Sequence, residues 1–260
     1  MARFYTLPPE VIPYPFILIN ANNPNVNYLV RHRDFIESVI IDSGVEIFRD
    51  PEIKDYPPNH FEKLVSLYKR VKCIVRDAEV YVTVPDYPDD YHPKSLWING
   101  KTNIERTLDN ILYALTSYSE VNWLIPVQGH YRSPKSVIYA LELYQKHDVP
   151  LNYIGLANLC VEDRVSIVNE TVELAWAWLF SNGYNTKIHV FGPDIRSIPA
   201  IKQYIYSFDS MAWTRPRAPC GYSAKNNSER IYLFLTWIYK YAQVIDLPLL
   251  PKTMRRSRDG

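Results

Sequence analysis

The chain has 260 residues, 47% of them hydrophobic and 22% charged, which is the composition of a folded domain and excludes the low-hydrophobicity, high-charge class of disordered chains. Twenty-nine Lys and Arg against 28 Asp and Glu leave a net charge of +1, so no molecule-wide basic field announces a nucleic-acid or membrane partner, and any polyanion contact must be local. The three cysteines, Cys73, Cys160 and Cys220, are far apart and form no Cys-x-x-Cys pair; this pattern spells out neither a disulfide framework nor a thiolate metal site and points to a reducing, cytoplasmic home.

The chain opens with Pro8, Pro9, Pro13 and Pro15 where a signal peptide needs an unbroken apolar run, and no stretch approaches about 18 uncharged apolar residues, so neither secretion nor membrane spanning is expected. Runs rich in β-branched or apolar residues predict strands at 16–19, 38–41, 80–84, 123–127, 152–154, 187–191 and 207–208. Helices are predicted near 61–77, 103–119, 133–147, 161–181, 198–206 and 228–244. In the second of these Ile104, Leu108, Ile111, Leu112 and Leu115 fall on one face. Ser133 and Pro134 are placed as the N-cap and first-turn proline of the third.

Alternating strands and helices, with strands apolar almost throughout, predict an α/β protein whose parallel strands are buried on both faces by crossover helices. None of the eight glycines has the spacing of a dinucleotide fingerprint or a phosphate loop. Four of them, Gly44, Gly129, Gly155 and Gly192, instead stand just after predicted strands, where Asp42, Asp86, Gln128 and Asp209 also gather. Functional groups at the ends of many successive strands favour a single (β/α)8 TIM-type barrel over an open sheet. The barrel is expected over 1–250, with a basic tail at 251–260. No segment after Trp213 reads as an eighth strand.

The strand ends carry Asp42-Ser43-Gly44, Val84-Pro85-Asp86, Val127-Gln128-Gly129, Ile154-Gly155-Leu156, His189-Val190-Phe191-Gly192 and Phe208-Asp209-Ser210, closing with Thr214-Arg215. In this order the string resembles the tRNA-guanine transglycosylase superfamily, whose barrel exchanges a guanine in nucleic acid for a 7-deazaguanine base. The resemblance spans residues 16–217. It implies Asp209 as the nucleophile on the anomeric carbon and Asp42 as the general acid and base. It implies that Asp86 reads the purine's Watson–Crick edge, with Gln128, the backbone of Gly155 and Leu156, and Ser43 adding contacts. Phe191 falls at the platform beneath the base, and Arg215 and Arg217 at the phosphates flanking the extruded nucleotide.

The chain departs from the family at two places. Members usually carry Ser-Gly-Gly, then an aromatic residue and Gln, where this chain reads Ser43-Gly44-Val45-Glu46-Ile47. The family's zinc subdomain needs three clustered cysteines and a histidine, whereas only Cys220 follows Asp209 and the last histidine is His189. No metal and no cofactor are therefore expected. The expected partners are nucleic acid, tRNA or DNA, and a guanine or 7-deazaguanine base, without a membrane; a homodimer is left open. Two rival readings stay open: a hydrolytic N-glycosidase, which would keep Asp209 and Asp42, and a non-catalytic nucleic-acid-binding subunit of a transglycosylase, against which the three carboxylates Asp42, Asp86 and Asp209 argue.

Overall fold

The computed structural model describes residues 2–89, 98–160, 162, 164–214, 226–241 and 245–246. Eight parallel strands among them ring a barrel: β1 (Ala2–Tyr5), β2 (Phe16–Asn20), β3 (Ser38–Asp42), β4 (Glu79–Thr83), β5 (Trp123–Val127), β6 (Tyr153–Leu156), β7 (Lys187–Val190) and β8 (Ser207–Asp209). Each strand from β2 onward pairs in parallel with its successor, and β8 pairs with β1 so that Tyr5 stands opposite Asp209. The ring closes through one bridge: Thr6 N–H donates to the Phe16 carbonyl at 3.3 Å, and the Thr6 carbonyl accepts from Leu18 N–H at 3.0 Å. This is the α/β, (β/α)8 TIM-type architecture that the alternating pattern predicts.

All seven predicted strands are present, and the eighth is β1, at the N-terminus and not after Trp213. Its four residues, one of them charged, are too few for a periodic signal. No helix separates it from β2, so the strand–helix alternation that marks the others is missing. A two-residue ninth strand, β9 (Ile245–Asp246), pairs with Ala2 and Arg3 at the start of β1.

The helices are α1 (Val26–His32), α2 (His60–Ile74), α3 (Asn103–Ser117), α4 (Ser136–Lys146), α5 (Val165–Ser181), α6 (Ile198–Ile201) and α7 (Asn227–Tyr241). On α3, Ile104, Leu108 and Ile111 are buried on the predicted face, and Thr102 with Glu105 forms a capping box at its start. The helix predicted from Ser133 begins three residues later. Ser136 donates from both its N–H and its hydroxyl to the Ser133 carbonyl, at 3.0 and 2.6 Å, so Ser133 and Pro134 belong to a turn. The same hydroxyl accepts from His130 N–H at 2.6 Å, and a Cβ on Gly129 would lie 2.4 Å from it. Glycine is required there for close approach, not for a special φ.

The pleat sorts the strand residues. Val39 and Ile41, Val80 and Val82, Ile188 and Val190 are fully buried, each such side chain contributing about 1.5–3 kcal/mol by leaving water. Residues of the opposite parity meet across the barrel. Tyr5 donates to Ser38 Oγ at 2.8 Å, Tyr153 OH lies 3.1 Å from Ser207 Oγ, and the Tyr153 ring packs edge-on against Tyr81. The barrel interior is thus aromatic and hydroxylic. Following the same parity to the strand ends leads to Asn20, Asp42, Gly155, Phe191 and Asp209.

Candidate active site

Asp209 ends β8 nearly buried, at 9% exposure. Its Oδ1 accepts from Gly192 N–H at 3.0 Å and lies 3.2 Å from His189 Nε2. His189, fully buried, is held at its other nitrogen by Ser207 Oγ at 2.9 Å, and Ser207 in turn meets Tyr153. Both contacts fall on Oδ1, and neither group holds Oδ2. Gly192 turns in the left-handed region at φ 51°, and a Cβ there would sit 2.7 Å from Cys160 Cβ, so glycine lets this N–H point at the carboxylate.

Asp42 ends β3 in a different setting. Its Oδ1 accepts one hydrogen bond, from Gly44 N–H at 2.7 Å. Burial, then the neighbouring Glu46 charge, then the more distant Asp209 charge push its carboxyl from 3.8 up to about 7, against the pull of the Gly44 bond. Glu46 is fixed by a short hydrogen bond from Asn20 Nδ2, at the end of β2. Glu46 thus puts a second carboxylate beside the first. Gly44 has φ 87°, and a Cβ would come 2.6 Å from Asn22 Nδ2, which donates to the Gly44 carbonyl at 3.0 Å.

Asp86 follows β4, buried at 4% exposure, with Ser43 Oγ donating to its Oδ1 at 3.4 Å. Its backbone is pinned residue by residue. The carbonyls of Pro85, Asp86 and Tyr87 accept from Asn110, Tyr56 and Gln128 at 2.9, 2.9 and 2.6 Å. Burial and the charges of Asp86 and Asp42 raise the Tyr56 phenol well above its ordinary pKa, which keeps it a donor. His60 stacks on Tyr56 and bonds the Ser43 carbonyl at 2.8 Å; burial lowers its pKa. The three carboxylates thus share one end of the barrel, and Asp42 senses the charge of Asp209 while Tyr56 senses those of Asp86 and Asp42.

Gln128 is fully engaged on its donor side, giving its amide hydrogens to Tyr87 O and to Thr107 Oγ1 at 2.9 Å. In this arrangement both amide hydrogens are committed to the protein, and the oxygen is the group left for a ligand. Its Oε1 is buried without a hydrogen-bond partner among the described residues, a state that costs about 1–3 kcal/mol and that a ligand N–H would relieve. The Leu156 carbonyl accepts from Phe191 N–H at 3.1 Å within the β6–β7 ladder. Phe191 is partly exposed, and its ring lies over Gly155, where a Cβ would come 2.3 Å from it. The missing side chain of Gly155 thus seats the ring itself. Arg215 and Arg217 lie outside the described residues.

Sequence reading gave no role to His189, Glu46, Asn20 or Ser207. The available signal was parity: His189 stands two residues before Phe191, and Ser207 two before Asp209. No protein-family model and no characterised protein matches the chain. Among the described residues no cluster of His, Cys, Asp or Glu is arranged to hold a metal ion, and no helix is long and apolar enough to cross a membrane.

Proposed function

We propose that the chain is a pentosyltransferase that replaces guanine in a nucleic acid with a 7-deazaguanine base through a covalent glycosyl–Asp209 ester. The observation that carries this reading is the pairing of unlike carboxylates: Asp209 carries donors on one oxygen, while Asp42, within range of its charge, is raised to about 7. Environments that separate two carboxylates in this way suit one to nucleophilic work and the other to proton transfer.

Asp209 Oδ2, the oxygen that neither Gly192 nor His189 holds, attacks C1′ of the nucleotide. The C1′–N9 bond breaks with its electron pair passing to the purine, which takes the proton of Asp42. The incoming 7-deazaguanine then returns a proton to the Asp42 carboxylate as its N9 attacks C1′, and the ester C1′–O bond breaks to restore Asp209. Two inversions give net retention. Asp86 accepts from the ring N–H and exocyclic amine of the purine, Ser43 steadies it, and Gln128 Oε1 accepts a further N–H. Gly155 and Leu156 line the base edge, and the Phe191 ring provides a stacking face, a contact of about 1–3 kcal/mol.

The test is incubation with labelled guanine and separate tRNA and DNA pools, followed by nucleoside mass analysis and a search for a denaturation-resistant adduct. Label entering one polymer, with an adduct that forms when no acceptor base is present, is the expected result. Release of guanine without incorporation would make the protein an N-glycosidase, and the absence of both label and adduct would overturn the reading.

A further inference from the structure

Resting on that reading, we infer that Arg132, Arg164 and Arg196 form an arc on the β5–β7 side of the barrel mouth that carries the sugar–phosphate backbone of the substrate. The three arginines sit on the consecutive loops that follow β5, β6 and β7. Their side chains are 46%, 48% and 55% exposed, yet each is tied to a carboxylate that is 1% or 6% exposed. Glu162 takes Arg132 Nε at 3.3 Å and Arg164 Nε at 3.0 Å, and Asp194 takes Arg196 Nε at 3.0 Å and Nη2 at 2.7 Å.

A buried carboxylate fixes the direction of each arginine side chain, about half of which is exposed. Fixing the fork in advance lowers the entropy lost when it meets a phosphate. Burial works against the charge of Glu162, but the hydrogen bonds and charge of Arg164 and the charge of Arg132 outweigh it and hold its carboxyl below the ordinary pKa. Arg132 adopts the left-handed region at φ 58°, an uncommon conformation for a side-chain-bearing residue, and its guanidinium lies 4.9 Å from the Tyr131 ring. The loops after β6 and β7 touch at Cys160 and Gly192, so the arginines belong to one continuous rim.

The opposite rim has the other sign. Residues 43–55 after β3 carry Arg49 and Lys54 against Glu46, Asp50, Glu52 and Asp55, whereas the β5–β7 loops carry Arg132, Lys135, Arg164 and Arg196 against Glu162, Asp163 and Asp194. A nearly neutral protein thus has the local basic stripe that a polyanion requires, with two of the three opposing carboxylates buried beneath it.

The experiment measures binding of a fluorescent single-stranded DNA oligonucleotide and of an RNA hairpin over a range of salt concentrations. Arg132→Gln, Arg164→Gln and Arg196→Gln are each expected to weaken binding about three- to tenfold at low salt and to lower the slope of log K against log salt by about 0.7–0.9. Arg132→Lys keeps the slope, and Glu52→Gln, on the opposite rim, does not weaken binding. Melting curves accompany each variant, because Arg132 and Arg164 balance the buried Glu162. Arg196→Gln leaves that pair intact and keeps the test open if the other two unfold. Unchanged affinity and slope in Arg196→Gln and in whichever other variants fold would overturn the arc, as would an equal loss in Glu52→Gln. If wild type still transfers labelled guanine in that case, only the arc fails. If wild type transfers none to either polymer, the proposed function fails with it.

Discussion

The ends of β3 and β8 present the same residue at the same point of the pleat, in unlike surroundings. Asp209 meets a backbone N–H and an imidazole that is itself anchored by Ser207. Asp42 meets a single backbone N–H and a second carboxylate, Glu46. Burial and the like charge of Glu46 oppose ionisation of Asp42. The two surroundings come from different places: the turn after the neighbouring β7, at Gly192, for Asp209, and the Val45–Arg49 helical turn that follows its own strand for Asp42.

The strongest way to break this contrast is to neutralise the β8 side. Asp209→Asn keeps size and most hydrogen bonds but removes the charge that attacks C1′ in the proposed reaction; exchange is expected to fall by about four orders of magnitude or more, with loss of the trapped adduct and retention of nucleic-acid affinity. An Asp209→Asn enzyme that still forms the adduct would place the nucleophile elsewhere. Neutralising the β3 side with Asp42→Asn should cost less, about 10²–10⁴-fold in single-turnover rate, because proton transfer is impaired while the nucleophile stays intact. Equal losses in the two variants would erase the division of labour.

Much of this architecture was legible in the sequence, and the gaps have physical causes. Val39 and Ile41, or Ile188 and Val190, announce strands because their faces pack under helices, and Asp42, Asp86 and Asp209 stand out as acids ending such runs. β1 was not legible, since Ala2–Tyr5 is brief and puts Arg3 inside the barrel, over Tyr206 at 4.7 Å and paired to Glu79 at 2.7 Å. His189 and Glu46 were not legible as site residues because their importance lies in what they touch, which becomes visible only when β7 is set beside β8 and the 43–49 turn is folded back on Asp42. The engaged donor side of Gln128 likewise depends on Tyr87 and Thr107, which lie 41 and 21 residues away in sequence.

A finer cut between the two carboxylates removes only the donor. His189→Leu leaves Asp209 in place and deletes the imidazole with its donor. A hydrogen bond to a charged group is worth about 1.5–3 kcal/mol, so a loss of about 10–100-fold in kcat is expected, with guanine affinity unchanged. A rise in KM alone would show that His189 shapes the base pocket instead. Because Ser207 Oγ contacts both Tyr153 and His189, Ser207→Ala should shift kcat in the same direction by a smaller factor.

The smallest expected effect concerns stability, and it has the sign opposite to the loss of activity. The Asp42 carboxyl has a pKa near 3.8 in the unfolded chain and about 7 in the folded one. Between those values the native state holds the extra proton, so the contribution of this group to stability is greatest at low pH and falls as pH rises towards 7. Above that point the folded protein carries a partly buried charge beside Glu46, which an amide does not carry. Asp42→Asn should therefore melt at a higher temperature than wild type at pH 8 and at nearly the same temperature at pH 4. Allowing for the partial exposure of Asp42, the gain at pH 8 is on the order of 2 kcal/mol, or about 4–8 °C in Tm. Paired melting curves at the two pH values check this directly. An Asp42→Asn protein with no pH-dependent gain would show that Asp42 ionises normally, which would remove it as the proton donor and leave Glu46, its carboxylate neighbour, to be tested in that role.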